Sequence, residues 1–315
     1  MKIAFCADPL DGFKTYKDST YAMMVEAARR GHEVHAFEQK DMAIASGDVV
    51  AHVARITIAD PTGTLPTWYH AAARIETRLP DFDAVVMRKD PPFDMEYVYA
   101  TQLLELAESH GARVFNKPGA VRSHNEKLAI TEFPQFIAPT LVTSDDARIR
   151  AFHAEHRDII LKPLDGMGGA GVFRVRDDAM NLGGIIETLT ANGRATIMVQ
   201  RFIPEIEKGD KRILLIGGTV VPFCLARIPQ GGEVRGNLAA GGLGVAQPIG
   251  VRDREIAETL APELAARGLL LVGMDVIGSY MTEINVTSPT CFQEITAQTG
   301  FDVPALFIDA LEKAI

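Results

Sequence analysis

The chain has 315 residues, 47% of them hydrophobic and 23% charged, with a formal net charge of −9. That length allows two or three lobes, and the acidity excludes a chain-wide nucleic-acid footprint. Cys6, Cys224 and Cys291 are too few and too scattered for a disulfide framework or a zinc knuckle, and no apolar run approaches the ~18 residues of a membrane span.

The first lobe alternates strands and helices. "KIAFCAD" reads as the first strand, not as a signal peptide, so a cytoplasmic protein without membrane or nucleic-acid partners is expected. A helix follows over "STYAMMVEAARRGHEV", with Ser19 or Thr20 as cap and Gly31 as stop. "EVHAFE" and "FDAVVMRKDPPFD" read as strands, the second running into a proline-bounded loop. "MEYVYATQLLELAESHG" is helical and "ARVFNKP" extended. This rhythm predicts a parallel sheet with helices on its faces, whose ligands bind beyond the C-terminal strand ends. Residues 88–94, "RKDPPFD", sit at such an end.

Near residue 123 the pattern changes to a small α+β lobe. "SHNEKLAITEF" is a short helix with Ser123 or Asn125 near its start, and "DARIRAFHAEH" is another. "NLGGIIETLT" is helical and "ATIMVQRFI" a strand. From residue 203, "KRILLIGGTVVPFCLARIP" gives two strands about a Gly-Gly turn. A glycine-rich stretch from Pro229 to Gly244, a helix over 252–267 and a second hairpin, "LLLVGMDVIGSYMTEINVTS", complete this reading. The predicted domains are 1–123, 124–202 and 203–315.

The segment "LKPLDGMGGAGVFRV" carries glycines at 166, 168, 169 and 171, matching G-x-G-x-x-G. A dinucleotide fingerprint must open a helix, and a P-loop needs Gly-Lys-Ser/Thr after its glycines. Here strands lie on both sides, so neither applies. What remains is a hairpin over phosphates, with glycines letting backbone N–H groups approach the oxygens. A hairpin without ligand fits the same residues.

Three constellations carry chemistry. Lys127, Lys162, Lys211, Arg212 and Arg227 lie on separate elements of an acidic chain, which suits a polyphosphate. Asp275, Glu283 and Asn285 are hard oxygen donors of the kind that hold magnesium. Glu283 and Asn285 share a strand face. For direct pairing to bring Asp275 to that face, the hairpin loop should hold three residues, Gly278-Ser279-Tyr280. In "VTSPTCFQEI", Ser288 reads as a helix cap with Pro289 at the first helical position, leaving a helix N-terminus for a carboxylate.

Lys127, Lys162 before the glycine hairpin, "QRFIPEIEKGDKR", Arg227 and "D…EIN" resemble the ATP-grasp fold. Within it, "MRKDPPFD", "NKP", "LKPLDGMGGAG", "ARIPQGGEVRGNLAAGG" and "EINVTSPTC" are similar to the prokaryotic glutathione synthetases, from the first strand to about residue 295. The resemblance implies an α/β and α+β protein: a parallel N-terminal lobe, a central lid lobe and a C-terminal antiparallel lobe. It implies ATP between the last two. Lys127 and Lys162 would hold its phosphates, and Asp165, Gly166, Met167, Gly168 and Gly169 would cover them. Gln200, Arg201, Phe202 and Ile203 would meet adenine, and Asp210 the ribose or its surroundings. Asp275, Glu283 and Asn285 would hold two Mg2+ ions, with Mn2+ as substitute. Arg212 and Arg227 would face the transferred phosphoryl group. Arg88, Ser288 and Thr290 would position the carboxylates of γ-glutamylcysteine and glycine. The lid would span Pro229 to Gly244. Where a basic residue is common after its last Gly-Gly, this chain has Leu243, so closure falls to Arg235. A homo-oligomer, dimer or tetramer, is also implied.

A sister ligase, forming a D-alanyl dipeptide or adding glutamate to a protein, would share this chemistry; "RKDPPFD" and "NVTSPTC" argue against it. A non-catalytic ATP-binding regulator would not need Lys162 together with Asp275, Glu283 and Asn285.

Overall fold

The computed structural model describes residues 1–65, 67–231, 235–238 and 241–315. Among the described residues, the N-terminal part builds an eight-stranded sheet. Its parallel half consists of β1 (Lys2–Cys6), β2 (Glu33–Phe37), β7 (Ala84–Met87) and β8 (Val114–Phe115), with β1 between β2 and β7. The other half is antiparallel: β3 (Met42–Ala45), β5 (Tyr69–Ala71) and β6 (Ile75–Arg78) all pair with β4 (Asp48–Ile58), which pairs with β2. The expected all-parallel sheet is therefore mixed, because residues 42–78 return as hairpins instead of crossing over through a helix.

Helix α1 (Ser19–Arg29) starts at Asp18, not at Ser19 or Thr20: Asp18 Oδ1 accepts from the Tyr21 amide at 2.8 Å. Ser19 and Thr20 are already helical and buried. Gly31, at φ +81°, follows the helix end as expected. Helices α2 (Met95–Ser109) and α3 (Pro118–Ser123) complete this part. Ser123 closes α3, whereas the Asn125 side chain accepts from the Lys127 and Leu128 amides and opens a short 3₁₀ turn.

The middle lobe is a four-stranded antiparallel sheet in the order β11 (Phe173–Val175), β10 (Ile159–Pro163), β12 (Ile197–Arg201), β9 (Thr140–Thr143). Helices α4 (Asp146–His156) and α5 (Leu182–Leu189) accompany it. Its core, with Ile149, Ile159, Leu161, Ile186 and Val199, is separate from the other two apolar clusters. Fully burying a side chain such as Ile159 or Leu161 contributes about 1.5–3 kcal/mol.

The C-terminal part is a five-stranded antiparallel sheet in the order β15 (Leu243–Pro248), β14 (Thr219–Ile228), β13 (Asp210–Ile216), β16 (Leu271–Ile277), β17 (Tyr280–Asn285). Helices α6 (Val251–Ala266), α7 (Phe292–Thr299) and α8 (Val303–Ala314) cover it. Both remaining clusters mix residues of this sheet with the N-terminal sheet, Val85 with Ile213 in one and Phe5 with Leu271 in the other. Asn116 ties the two parts: its side-chain amide donates to Leu271 O at 2.7 Å and Val286 O at 2.8 Å and accepts from the Leu271 amide at 2.8 Å.

Candidate active site

A cavity of about 540 Å³ opens where the three parts meet. Its walls come from the β10–β11 hairpin, the end of β12, strands β13, β14 and β17, and the segment between β17 and α7. A smaller cavity of about 230 Å³ lies toward the N-terminal part, and Gly12, Asp18 and Asp90 belong to both walls.

Two buried lysines face the large cavity. Lys127 Nζ donates to the Glu126 carboxylate and to Gly166 O at 2.6 Å, and lies 3.7 Å from Glu283 Oε1. Burial alone would pull its ammonium down; Glu283 and Glu126 outweigh burial and hold it above its ordinary value. Lys162 Nζ makes one long bond, 3.3 Å to Thr282 O, among the described residues. Burial pulls its ammonium below the ordinary range. It is a desolvated cation with donors to spare, which suits an anionic group.

The sheet beneath carries a buried charge network assembled from cross-strand neighbours. Arg227 stands opposite Asp210, and Arg212 opposite Asp275. Arg212 donates through Nε to Asp275 Oδ1 and through Nη2 to Asp275 Oδ2 at 3.0 Å. Arg227 Nη2 donates to Asp210 and reaches Asp275 Oδ2 at 2.9 Å. Two carboxylates in one network are split in opposite directions. Burial would raise Asp275, but Arg212 and Arg227 hold it down to about 2. Burial, reinforced by Asp275 and Glu283 against the pull of Arg227, pushes Asp210 up to about 7. Asp210 Oδ1 is buried without a hydrogen-bond partner.

The β16–β17 turn has two residues, Gly278 and Ser279, with Ile277 opposite Tyr280, and not the expected three. A bulge then inserts Thr282 between Met281 and Glu283, so Asp275 still pairs with Glu283. The extra residue restores the face that a regular two-residue hairpin would have reversed. Glu283 and Asn285 line the cavity, whereas Asp275 lies below its wall in the arginine network. Asn285 Nδ2 donates to Gly273 O at 3.2 Å and Asp275 Oδ2 at 3.3 Å. Its amide oxygen is a neutral acceptor on the same side chain at the cavity wall. Among the described residues, no cluster of three or more His, Cys, Asp or Glu side chains is arranged for a metal. The donor chemistry of Glu283 and Asn285 fits a hard cation that shares its ligands with phosphate oxygens.

At the other end, Arg88 is 4% exposed. Its Nε donates to Thr20 Oγ1 and its Nη2 to Pro289 O, both at 3.0 Å, while Nη1 has no partner. Ser288 does not cap a helix. Its hydroxyl donates to Asp90 Oδ1, and α7 starts only after Cys291, which has φ +86° and makes no side-chain cap. The segment is held by the N-terminal part, which pulls residues 288–291 out of helical conformation. Thr290 lines the cavity beside Cys291.

The hairpin glycines Gly166, Gly168 and Gly169 and exposed Met167 line the cavity, and Asp165 is exposed outside its wall. At Gly169, φ is +82° and a Cβ would fall 2.8 Å from Asn237 Oδ1 and 2.9 Å from Arg235 Cδ. Arg235 and Asn237 therefore lie against the hairpin. Gln200, Arg201, Phe202 and Ile203 line the cavity at the end of β12. Gln200 Nε2 donates to Thr140 Oγ1 at 2.9 Å, Arg201 lies over the Tyr280 ring, and Arg174 stacks 3.5 Å from the Phe202 centroid. Two further expectations change. Lys211 points to the opposite sheet face and pairs with Asp253 on α6, as strand alternation between Asp210 and Arg212 requires. Leu243 and Gly244 belong to strand β15, so the glycine-rich segment ends at Gly242. The part of that segment at residues 232–234 and 239–240 lies outside the described residues.

The cavity wall also contains Asp18, Asp90, Glu126 and Glu294, which the sequence did not single out. Glu126 adjoins Lys127 in a cavity-facing turn, and burial followed by Glu283 pushes its carboxyl up. Ordinary helix-flanking acids look the same in sequence.

A family profile described as "Prokaryotic glutathione synthetase, N-terminal domain" matches residues 1–122, and one described as "Prokaryotic glutathione synthetase, ATP-grasp domain" matches residues 126–300. The chain belongs to this family. Relatives named glutathione synthetase include one from Ralstonia nicotianae, 62% identical over 100% of this chain and 96% of its own length. Another, from Nitrosomonas europaea, is 60% identical over 100% and 98%. Among solved structures, D-cycloserine synthetase DcsG aligns with a TM-score of 0.69 at 18% identity, covering 100% of both chains. A RimK domain ATP-grasp protein from Sphaerobacter thermophilus gives 0.61 at 18%, covering 98% of this chain and 99% of its own. These structures establish the ATP-grasp fold. No described helix is long and apolar enough to cross a membrane.

Proposed function

We propose that the chain joins γ-L-glutamyl-L-cysteine to glycine through an acyl phosphate, giving glutathione, ADP and phosphate. Family membership over the whole chain establishes an ATP-dependent carboxylate–amine ligase that produces glutathione. The observation that carries the route is the large cavity, where buried Lys162 and Lys127 face Glu283 and Asn285 above the Arg212–Arg227 network.

Lys127 and Lys162 hold the nucleotide phosphates, under the glycine hairpin and Met167. Gln200 to Ile203 border the adenine, and Asp210 lies at the phosphate end beside Arg227. Glu283 and Asn285, with Asp275 beneath them in the arginine network, would hold Mg2+, or Mn2+ in its place. The metal, when bound, neutralises developing phosphoryl charge. The cysteinyl carboxylate attacks the γ-phosphorus. The glycine amine then attacks the acyl carbon, and phosphate leaves. Arg212 and Arg227 offer fixed positive charge to the transferred group and to the tetrahedral oxyanion. Arg88, Ser288 and Thr290 orient substrate carboxylates from the N-terminal side. Arg235 and the 229–242 segment exclude water from the acyl phosphate. The same reading includes a cytoplasmic homo-oligomer, supported by three free buried cysteines and by exposed Ile44 and Ile75 on strands of one sheet.

The test is phosphate release with ATP, Mg2+ and γ-glutamylcysteine, with and without glycine, beside mass detection of tripeptide. Glycine-dependent release matched one-to-one by glutathione is expected. Release only with D-alanine or glutamate would move the chain to a sister ligase.

A further inference from the structure

Lys162 and Lys127 come from different parts of the fold, yet both lean on strand β17. This strand is the edge of the C-terminal sheet, so one side of its backbone pairs with β16 and the other points outward. On the outward side, Thr282 O accepts from Lys162 Nζ at 3.3 Å, and the Ile284 amide donates to Glu126 O at 2.8 Å. Glu126 directly precedes Lys127, whose Nζ reaches Gly166 O at 2.6 Å. Main-chain groups two residues apart on a strand point to the same edge, so Thr282 and Ile284 face outward together. The bulge sets this phase. Continued regularly from the Gly278-Ser279 turn, the ladder would put Thr282 opposite Asp275 and turn its carbonyl inward. A three-residue loop without a bulge would keep Glu283 opposite Asp275. It would also set Met281 opposite Ile277, a cavity-wall residue, and carry Thr282 into the core beside Val276. Met281 and Val276 are both fully buried in one apolar cluster. The two-residue turn with one extra residue keeps Met281 in the core and Glu283 at the cavity.

The Thr282 side chain stitches the bulge shut: its hydroxyl donates to Asp275 O on the partner strand at 3.3 Å. We propose that Thr282 is a positioning residue for nucleotide binding. Its hydroxyl fixes the bulge, and the bulge presents the Thr282 carbonyl as the support that aims the Lys162 ammonium into the cavity. The same phase docks the Glu126-Lys127 turn two residues further along the strand. This role rests on the assignment of both lysines to the nucleotide phosphates above. Thr282 O is the one hydrogen-bond partner of Lys162 Nζ among the described residues, so a carbonyl that wanders leaves the ammonium without a fixed direction. A buried cation held by one neutral acceptor keeps its remaining donors for a phosphate. Fixing it beforehand spares the nucleotide the cost of ordering it.

The experiment is a double-mutant cycle on the full chain. It reads the Kd for ADP by calorimetry in EDTA, where the metal ligands of the same hairpin take no part. Lys162→Met should raise Kd by at least about tenfold, as expected for a lost charged hydrogen bond. Thr282→Val, which exchanges the hydroxyl for a methyl, should raise it about three- to tenfold, the scale of one hydrogen bond. Thr282→Ser keeps the hydroxyl and should stay within about twofold of wild type on the same scale. In the Lys162→Met background most of the Thr282→Val effect should vanish, because the ammonium it acts through is gone. A threonine that only supports the fold gives the same fold-change in both backgrounds. Thr282→Ala also lacks the hydroxyl and serves if Thr282→Val does not fold. Wild-type affinity in the variant without the hydroxyl, an equal loss in both backgrounds, or a loss as large in Thr282→Ser overturns the positioning role alone. An unchanged Kd in Lys162→Met overturns the assignment of Lys162 to the phosphates, and the positioning role with it.

Discussion

In the C-terminal sheet, Arg212, Arg227, Asp210 and Asp275 are all less than 10% exposed and neutralise one another across three strands. In the middle lobe, the loop between β10 and β11 that faces them offers glycines, exposed Met167 and no charged side chain to the cavity. The floor is assembled before any ligand arrives. Its geometry is fixed by strand register, and its charges are desolvated as a set, so removing one strands the others. The hairpin holds backbone N–H groups and depends on conformation, so its substitutions act through shape. Lys162 lies between the two regimes: it comes from the middle lobe, is as buried as the floor, and is almost unpartnered.

The largest effect should come from the floor. Asp275→Ala leaves two buried guanidiniums without their shared carboxylate, and should lower unfolding free energy by about 3–5 kcal/mol in urea titrations. A loss under about 1 kcal/mol would mean that the network contributes little to stability. Lys162→Met should do the reverse. Glycine-dependent phosphate release falls about 100-fold, while thermal stability holds or rises because a desolvated charge has gone. A collapse of stability with activity would place Lys162 with the floor.

The split between the two floor carboxyls gives a pH test. Asp210 is raised toward about 7 in the folded chain. The folded state then binds a proton more tightly than the unfolded state, so this group adds stability as pH falls through about 7 toward about 4. That contribution is lost as pH rises again. Asp275, held near 2, acts oppositely and loses its contribution only as pH falls below about 4. Asp210→Asn should therefore flatten the stability profile between pH 4.5 and 8, by at most about 1.4 kcal/mol per pH unit. An unchanged slope would assign the proton elsewhere.

Smaller effects belong to the roof. Trimming residues 229–242 should raise the ratio of phosphate released to glutathione formed by about two- to tenfold, as expected of a gate that excludes water. A ratio of one would show that this segment is not the lid. Gly169→Ala places a methyl against Arg235 and Asn237 in a left-handed backbone. It should raise KM for ATP by about threefold with little change in melting temperature, in line with a strained turn at the surface. Equal losses in KM and stability would make the hairpin part of the fold rather than of the site.

The strand and helix pattern between residues 146 and 228 was legible because periodicity and turn chemistry are local. The helix over 146–156 and the Gly217-Gly218 turn lie where the sequence puts them. Residues 42–78 gave no such signal, and their hairpins converted a parallel sheet to a mixed one. β9 and edge strand β15 were also missed: Thr140–Thr143 is short and half-buried throughout, and β15 hides in a glycine-rich run.

By itself, the sequence determined the residue types of the site and their order along the chain: lysines before a glycine hairpin, then arginines, then Asp, Glu and Asn on a final hairpin. Only the tertiary structure decided which atoms remain available. Lys211 is spent on Asp253 and Asp275 on two arginines, a bulge at Thr282 carries Glu283 to the correct face, and Ser288 turns to Asp90 instead of capping α7. It also decided that Arg88 and Glu294, 206 residues apart in the numbering, line two cavities that meet at Asp18, each with an unsatisfied polar atom. Residue type and periodicity are properties of the local chain. Desolvation and hydrogen-bond satisfaction depend on what the rest of the fold brings alongside.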